Sequence, residues 1–290
     1  MISEDKFGLR PIWDASLAIY KEVARICDRH GLRYYATDGT ALGAVRHKGF
    51  IPWDDDFDIS MPRPDYEKFK RVANSELPPN LKFWDYKDID DFHLLFGKVQ
   101  ETRKEVVEEL EGKVGHQLSN GVYIDIFPID GYPTSRLRGL FSRIRGFVYY
   151  QIGAYKFRLF KDRSAKGKCM HPVGWFLSLF APSVREYSDL LIRYEKMLNE
   201  VPFEQSEWTG RTCSSLTVFR RAPLSKKAWG SPTPSEFEDT TIMIPEDCDA
   251  HLKNEYYKWD YMVPPPVGQQ HPTHVYAEHC PWWLGPSKLS

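Results

Sequence analysis

Four aspartates fall within five positions of the run Ile51-Pro52-Trp53-Asp54-Asp55-Asp56-Phe57-Asp58-Ile59, and any fold must reconcile that charge with the apolar residues threaded through it. In an extended strand, successive side chains face opposite sides. Phe57 and Ile59 then enter a core, while Asp56 and Asp58 lie side by side on the other face. Two carboxylates about 5 Å apart repel by roughly 3 kcal/mol at an effective dielectric near 20. A divalent cation is the natural compensation, and an all-oxygen ligand set favours Mg²⁺ or Mn²⁺. A solvated acidic turn and a metal-free acid/base pair stand as rival readings. An EF-hand loop does not, because Ile59 stands where that loop needs glycine and Asp65 where it needs glutamate.

A third carboxylate would complete a metal site. Asp125 is the candidate, set between Ile124 and Ile126 in Gly-Val-Tyr-Ile-Asp-Ile-Phe (121–127), the clearest strand in the chain. A charge in mid-strand is expensive without a partner; an edge strand that leaves Asp125 in water is the alternative. Thr37-Asp38-Gly39-Thr40 lies between a strand-like stretch and a helical run. Amides at a helix start attract phosphate, and Gly39 allows close approach beside Thr40; the same residues also serve simple capping. Arg46, Lys48 and Lys98 are candidate phosphate-binding cations, each of which could equally be a surface residue.

The first 130 residues alternate helices (about 11–30, 41–46 and 64–73) with strands (32–37, 56–60, 81–85, 93–100 and 121–127), the last closed by Pro128. Long helical stretches follow near 136–160, 172–180 and 183–200. A strand pair is expected near 212–219 and 238–244, with a helix near 247–259. With 39 basic and 40 acidic residues, bulk charge gives no reason to expect a nucleic acid partner. Five scattered cysteines and no apolar leader after Met-Ile-Ser-Glu-Asp-Lys fit reduced thiols in the cytoplasm. No CxxC pair accompanies Cys248, His251, His271, His274, His279 and Cys280, which weighs against structural zinc.

The residues from Asp38 to Ile59 resemble the signature of the LicD family, which is related to fukutin-type transferases of the nucleotidyltransferase-fold superfamily. Ile124-Asp125-Ile126-Phe127-Pro128 is similar to the family's second block. Ile244-Pro245-Glu246-Asp247, Tyr261-Met262 and Pro264-Pro265-Pro266 are similar to its C-terminal block. Asp38 and the loosely spaced His271 and His274 depart from the pattern. The resemblance implies an α+β fold: a nucleotidyltransferase-like mixed β-sheet core with packed helices and a largely helical C-terminal half. One domain would span 1–290, with its core at about 11–130 and a helical part at about 131–290. It further implies transfer of phosphocholine or a related alcohol phosphate from a CDP-activated donor (CDP-choline or a CDP-polyol) to a glycan or teichoic acid hydroxyl, with release of CMP. Asp56, Asp58 and Asp125 would be the catalytic and metal-binding residues, with Mg²⁺ or Mn²⁺ as cofactor. Gly39, Thr40, Arg46, Lys48 and Lys98 would bind the donor. Transfer of NMP from an NTP, and an inactive nucleotide- or glycan-binding scaffold, are the alternatives.

Residues 134–168 carry ten Lys or Arg and one acidic residue, interleaved with Leu137, Leu140, Phe141, Ile144, Phe147, Val148 and Ile152. That is the pattern of a basic amphipathic helix at an anionic membrane surface, suited to a lipid-linked acceptor at the inner face of the membrane. A core helix with a basic solvent face has the same pattern.

Overall fold

The computed structural model describes residues 3–88, 95–102, 121–161, 172–181, 187–210 and 223–270. The strands are β1 Tyr35–Ala36, β2 Asp58–Pro62, β3 Leu81–Trp84, β4 Gly97–Glu101, β5 Tyr123–Tyr132, β6 Trp208–Gly210, β7 Leu224–Ser225, β8 Thr233–Phe237 and β9 Thr240–Ile244. The helices are α1 Arg10–His30, α2 Asp38–His47, α3 Arg63–Glu76, α4 Arg136–Lys161, α5 Pro172–Ser178, α6 Tyr187–Leu198, α7 Lys226–Trp229 and α8 Cys248–Glu255. The mixed sheet with its helices is the α+β fold the sequence leads one to expect.

The chain divides into two compact units. The first comprises Met1–Trp84, Gly97–Phe127 and Lys227–Ser290. Its sheet runs β1-β2-β5-β4-β3, with the β1–β2, β3–β4 and β4–β5 pairings antiparallel. Its core holds Trp13, Ile26, Phe57, Ile59, Phe69, Phe83, Val99, Ile124 and Ile126. The amphipathic α1 fills one side of that core. It starts where the Asp5 carboxylate accepts hydrogen bonds from the Leu9 and Arg10 amides. It ends at Gly31 (φ +60°), after which the Leu32 amide donates back to the Cys27 carbonyl. Phe57 and Ile59 enter the core, as the alternation requires.

The second unit comprises Asp85–Phe96 and Pro128–Lys226. Here the end of β5 pairs with β6 at Asp130–Tyr132, and β6 pairs with β7. Ile152 of α4 and Leu190 of α6 form a small core with Val148, Leu177 and Ala181 around them.

Two expectations change. Pro128 does not close β5, which continues to Tyr132. The proline, which lacks a donor, falls between the β4 ladder at Tyr123–Ile126 and the β6 ladder at Asp130–Tyr132. Asp130 is accordingly a buried strand residue. The strand at 240–244 pairs with β8 in a hairpin turned by Glu238 and Asp239; the expected partner at 212–219 lies outside the described residues. Among the described residues no helix is long and apolar enough to cross a membrane.

Candidate active site

The acidic run has no regular secondary structure from Asp54 to Phe57, and the ladder begins only at Asp58. Burial alternates along it: Asp55, Phe57 and Ile59 are buried, while Asp54, Asp56 and Asp58 are partly open. Three aspartates, not two, therefore share the open side. Trp13, itself fully buried, fixes the run by donating its indole N–H to the Asp54 carbonyl at 2.8 Å. On the neighbouring strand, the Asp125 amide donates to the Phe57 carbonyl at 2.9 Å, which brings Asp125 alongside.

The start of α2 is bonded to the same strand. The Thr37 amide donates to the Asp58 carbonyl at 3.1 Å, and the Thr37 and Ser60 hydroxyls meet at 3.0 Å. Thr40 accepts a hydrogen bond from the Asp58 amide on its Oγ1 at 2.8 Å. Thr40, expected to bind phosphate, thus also braces Asp58. Asp38 has φ +48°, a left-handed conformation that a non-glycine residue seldom adopts. Gly39 is packed against the cluster: a Cβ there would lie 2.3 Å from Asp54 Oδ2.

Asp58 is the electrostatic centre. Burial first, then the charges of Asp38, Asp56, Asp125 and Asp54, push its carboxyl well above the usual carboxylate range. Asp54, Asp55 and Asp56 each also offer an oxygen within 4.8 Å of the others. Clustered, partly desolvated carboxylates of this kind fit a divalent oxygen-seeking cation. Burial, followed by Asp38 and Asp54, raises the Tyr256 phenol above the normal tyrosine range, so Tyr256 belongs to the same neighbourhood.

The basic residues divide. Lys98 stands directly across the ladder from Asp125, forms an ion pair with it and lies 3.6 Å from the Tyr123 ring centre. With Lys98 and Asp125 side chains only 10% and 16% exposed, the mid-strand charge at Asp125 has the partner it needed. Arg46 donates to the Tyr261 carbonyl at 2.7 Å and lies over Trp53. Burial lowers its pKa, and Tyr256 and Asp54 oppose that shift, which places its guanidinium in the field of the cluster. Lys48 is exposed at the C-cap of α2, roughly 13 Å along the helix from Gly39.

The sequence reasoning missed Asp38, Asp54, Asp55 and Tyr256 as members of this neighbourhood. Carrying the two-residue alternation one step back from Asp56 finds Asp54. Asp38 depends on a positive φ and Tyr256 on long-range packing, and neither leaves a local sequence signal. His271 and His274 lie outside the described residues.

Residues 31–151 match the family described as LicD/FKTN/FKRP, nucleotidyltransferase domain. That stretch contains Asp38, the acidic run, Lys98 and Asp125. Through this stretch the chain carries a LicD-type domain. It is also similar to the lipopolysaccharide cholinephosphotransferase LicD of Haemophilus influenzae, with 26% identity over 255 residues, 86% of this chain and 89% of that protein. Shorter matches, 37% identical over 60 residues and 40% over 53, join it to uncharacterized proteins of Rickettsia typhi and Rickettsia prowazekii, covering about a fifth of each partner. The LicD-like blocks at Asp38–Ile59 and Ile124–Pro128 lie on α2, β2 and β5 and the run leading into β2, and these are the elements that meet at Asp58.

Proposed function

We propose that the protein transfers phosphocholine, or a closely related alcohol phosphate, from a CDP-activated donor to a hydroxyl of a cell-surface glycan of the lipopolysaccharide type, releasing CMP. The observation that carries this reading is the convergence of Asp38, Asp54, Asp56 and Asp125 on Asp58 at the start of α2. The activity named for the Haemophilus relative, which aligns over most of both chains, selects phosphocholine among the possible groups.

Asp56 and Asp58 would hold a divalent cation, with Asp125 beside them; such an ion would neutralise charge on the donor diphosphate. The amide dipoles at the start of α2 favour an anion, and Gly39 lets a phosphate approach the backbone there. Arg46 adds positive charge beside Asp54. In the transfer, the acceptor oxygen bonds to the phosphorus farther from cytidine. The bond from that phosphorus to the bridging oxygen breaks, and CMP departs with it. The hydroxyl proton passes to a carboxylate of the cluster, Asp125 being the one that Lys98 orients.

The test offers CDP-choline, CDP-ribitol, CDP-glycerol and CTP separately with Mg²⁺, and quantifies CMP and pyrophosphate. CMP from CDP-choline, abolished by EDTA and by Asp56→Asn, is the expected result. The family description names a nucleotidyltransferase domain, so NMP transfer is the second reading. Pyrophosphate from CTP alone would replace the first reading with the second.

A further inference from the structure

In the second unit, α4 is turned the wrong way round for a helix of a closed core. Its inward side over the first three turns carries Gly139 and Gly146, both buried, and a Cβ on Gly139 would lie 3.3 Å from the Tyr132 ring. Its outward side carries Leu137, Leu140, Phe141 and Ile144, which are 80%, 56%, 59% and 52% exposed. These residues recur at three- and four-residue steps and form one stripe. Farther along, the same stripe continues through Val148 and Ile152, where Leu190 and Leu177 cover it. The stripe is therefore continuous, covered in its later turns and bare in its earlier ones.

The short helix α5 enlarges the bare surface. It lies against the covered part of the stripe through Gly174, where a Cβ would fall 2.1 Å from the Gln151 carbonyl oxygen. That close approach leaves Trp175 and Phe176 on the outside, about half exposed, followed by Leu179 and Phe180. Monomeric proteins seldom expose this many large apolar groups without a partner.

Charge identifies the partner. Arg136 and Arg143, seven residues apart, flank the stripe on one side, and Arg138 and Arg145 flank it on the other. Arg145 is held by Glu200 in a bidentate pair at 2.6 and 2.7 Å, whereas Arg136, Arg138 and Arg143 are exposed. No Asp or Glu occurs between Asp130 and Asp162. An apolar stripe with arginines on both flanks, and a tryptophan and phenylalanines beside it, suits the boundary between anionic headgroups and acyl chains. Apolar residues enter the acyl region while the guanidinium groups reach phosphates. A protein partner would require acidic residues set in a matching double row; a bilayer supplies that charge everywhere.

We propose that the bare half of α4, together with α5, is a docking surface for an anionic lipid bilayer, on which the protein lies without spanning it. The inference stands apart from the transfer chemistry proposed above and does not depend on it.

The test is flotation of the full chain with vesicles of phosphatidylglycerol and phosphatidylcholine, and with phosphatidylcholine alone, at low and at moderate salt. The wild type is expected to float with anionic vesicles and to stay with the lipid-free fraction when the vesicles are neutral. Arg138→Glu/Arg143→Glu should weaken anionic binding by about tenfold or more, and raised salt should weaken it further. Leu140→Glu/Phe141→Glu should abolish it, with circular dichroism and the melting transition unchanged because these side chains already face water. Sedimentation runs in parallel. A wild type that ignores anionic vesicles overturns the proposal. So does a lipid-indifferent dimer that Leu140→Glu/Phe141→Glu converts to monomer, which would make a second copy the occupant.

Discussion

Asp58 sits where four other carboxylates raise the energy of its ionised form. A fold keeps such a residue at neutral pH only against its own stability, unless a cation is bound. Asp58→Asn should therefore do two opposite things. It should lower CMP release by roughly two to three orders of magnitude, the loss typical when one group stabilising developing charge is removed. It should also raise the melting temperature of the EDTA-treated protein and shrink the rise that Mg²⁺ produces. An Asp58→Asn protein that melts below the wild type in EDTA would mean that the carboxylate is compensated some other way. His47 offers a test with the opposite sign. Burial, aided by Arg46, lowers its imidazole to about 4 from an ordinary 6.5. The unfolded chain then takes up the proton more readily than the folded one. The contribution of His47 to stability is complete above pH 6.5 and is lost as pH falls through 4. His47→Gln should flatten that part of the wild-type stability curve, as measured by melting at half-unit steps from about pH 7.5 to about pH 4.

At the scale of elements, the hairpin β8–β9 does more than fill the core with Phe237 and Ile242. At its turn, Glu238 has φ +53° and a carboxylate that is almost wholly buried. That carboxylate accepts hydrogen bonds from the Ser3 and Phe50 amides and pairs with Arg10 at 3.1 Å. One side chain thus ties the N-terminal segment, α1 and the loop before the acidic run to the hairpin. Glu238→Ala leaves the buried Phe50 amide, the partly buried Ser3 amide and a guanidinium without it, and should cost about 3 kcal/mol in urea denaturation. The strand at β9 was legible, but β8 and the role of Glu238 were not, because Pro234 and Glu236 hide β8 from any alternation reading. What was legible had strong local causes. The helix over residues 11–30 shows in its apolar spacing and terminal glycine, and the core positions of Phe57 and Ile59 show in their alternation with aspartates. Lys98 shows how far such reading reaches. Its apolar neighbours Phe96 and Val99 mark a buried cation, but its partner Asp125 is fixed only by the β4–β5 register.

For the whole molecule, the division of the chain separates two kinds of surface. Every carboxylate, glycine and cation assigned to the chemistry belongs to the unit formed by Met1–Trp84, Gly97–Phe127 and Lys227–Ser290. The bare stripe of α4 and the aromatic residues of α5 belong to the other unit, and their apolar exposure owes nothing to the acidic cluster. If transfer and lipid docking are both properties of this chain, they should be lost independently. Asp56→Asn should abolish CMP release from the soluble donor and leave flotation with anionic vesicles at the wild-type level. Leu140→Glu/Phe141→Glu should release CMP at the wild-type rate in lipid-free buffer and fail to float. With an acceptor anchored in vesicles, the second protein should turn over slowly again, and detergent that frees the acceptor should restore its rate, because the defect is one of local concentration rather than chemistry. A docking variant equally slow with free and anchored acceptor would place the stripe in acceptor binding instead, and a single substitution that removes both readouts would show that the two surfaces work as one.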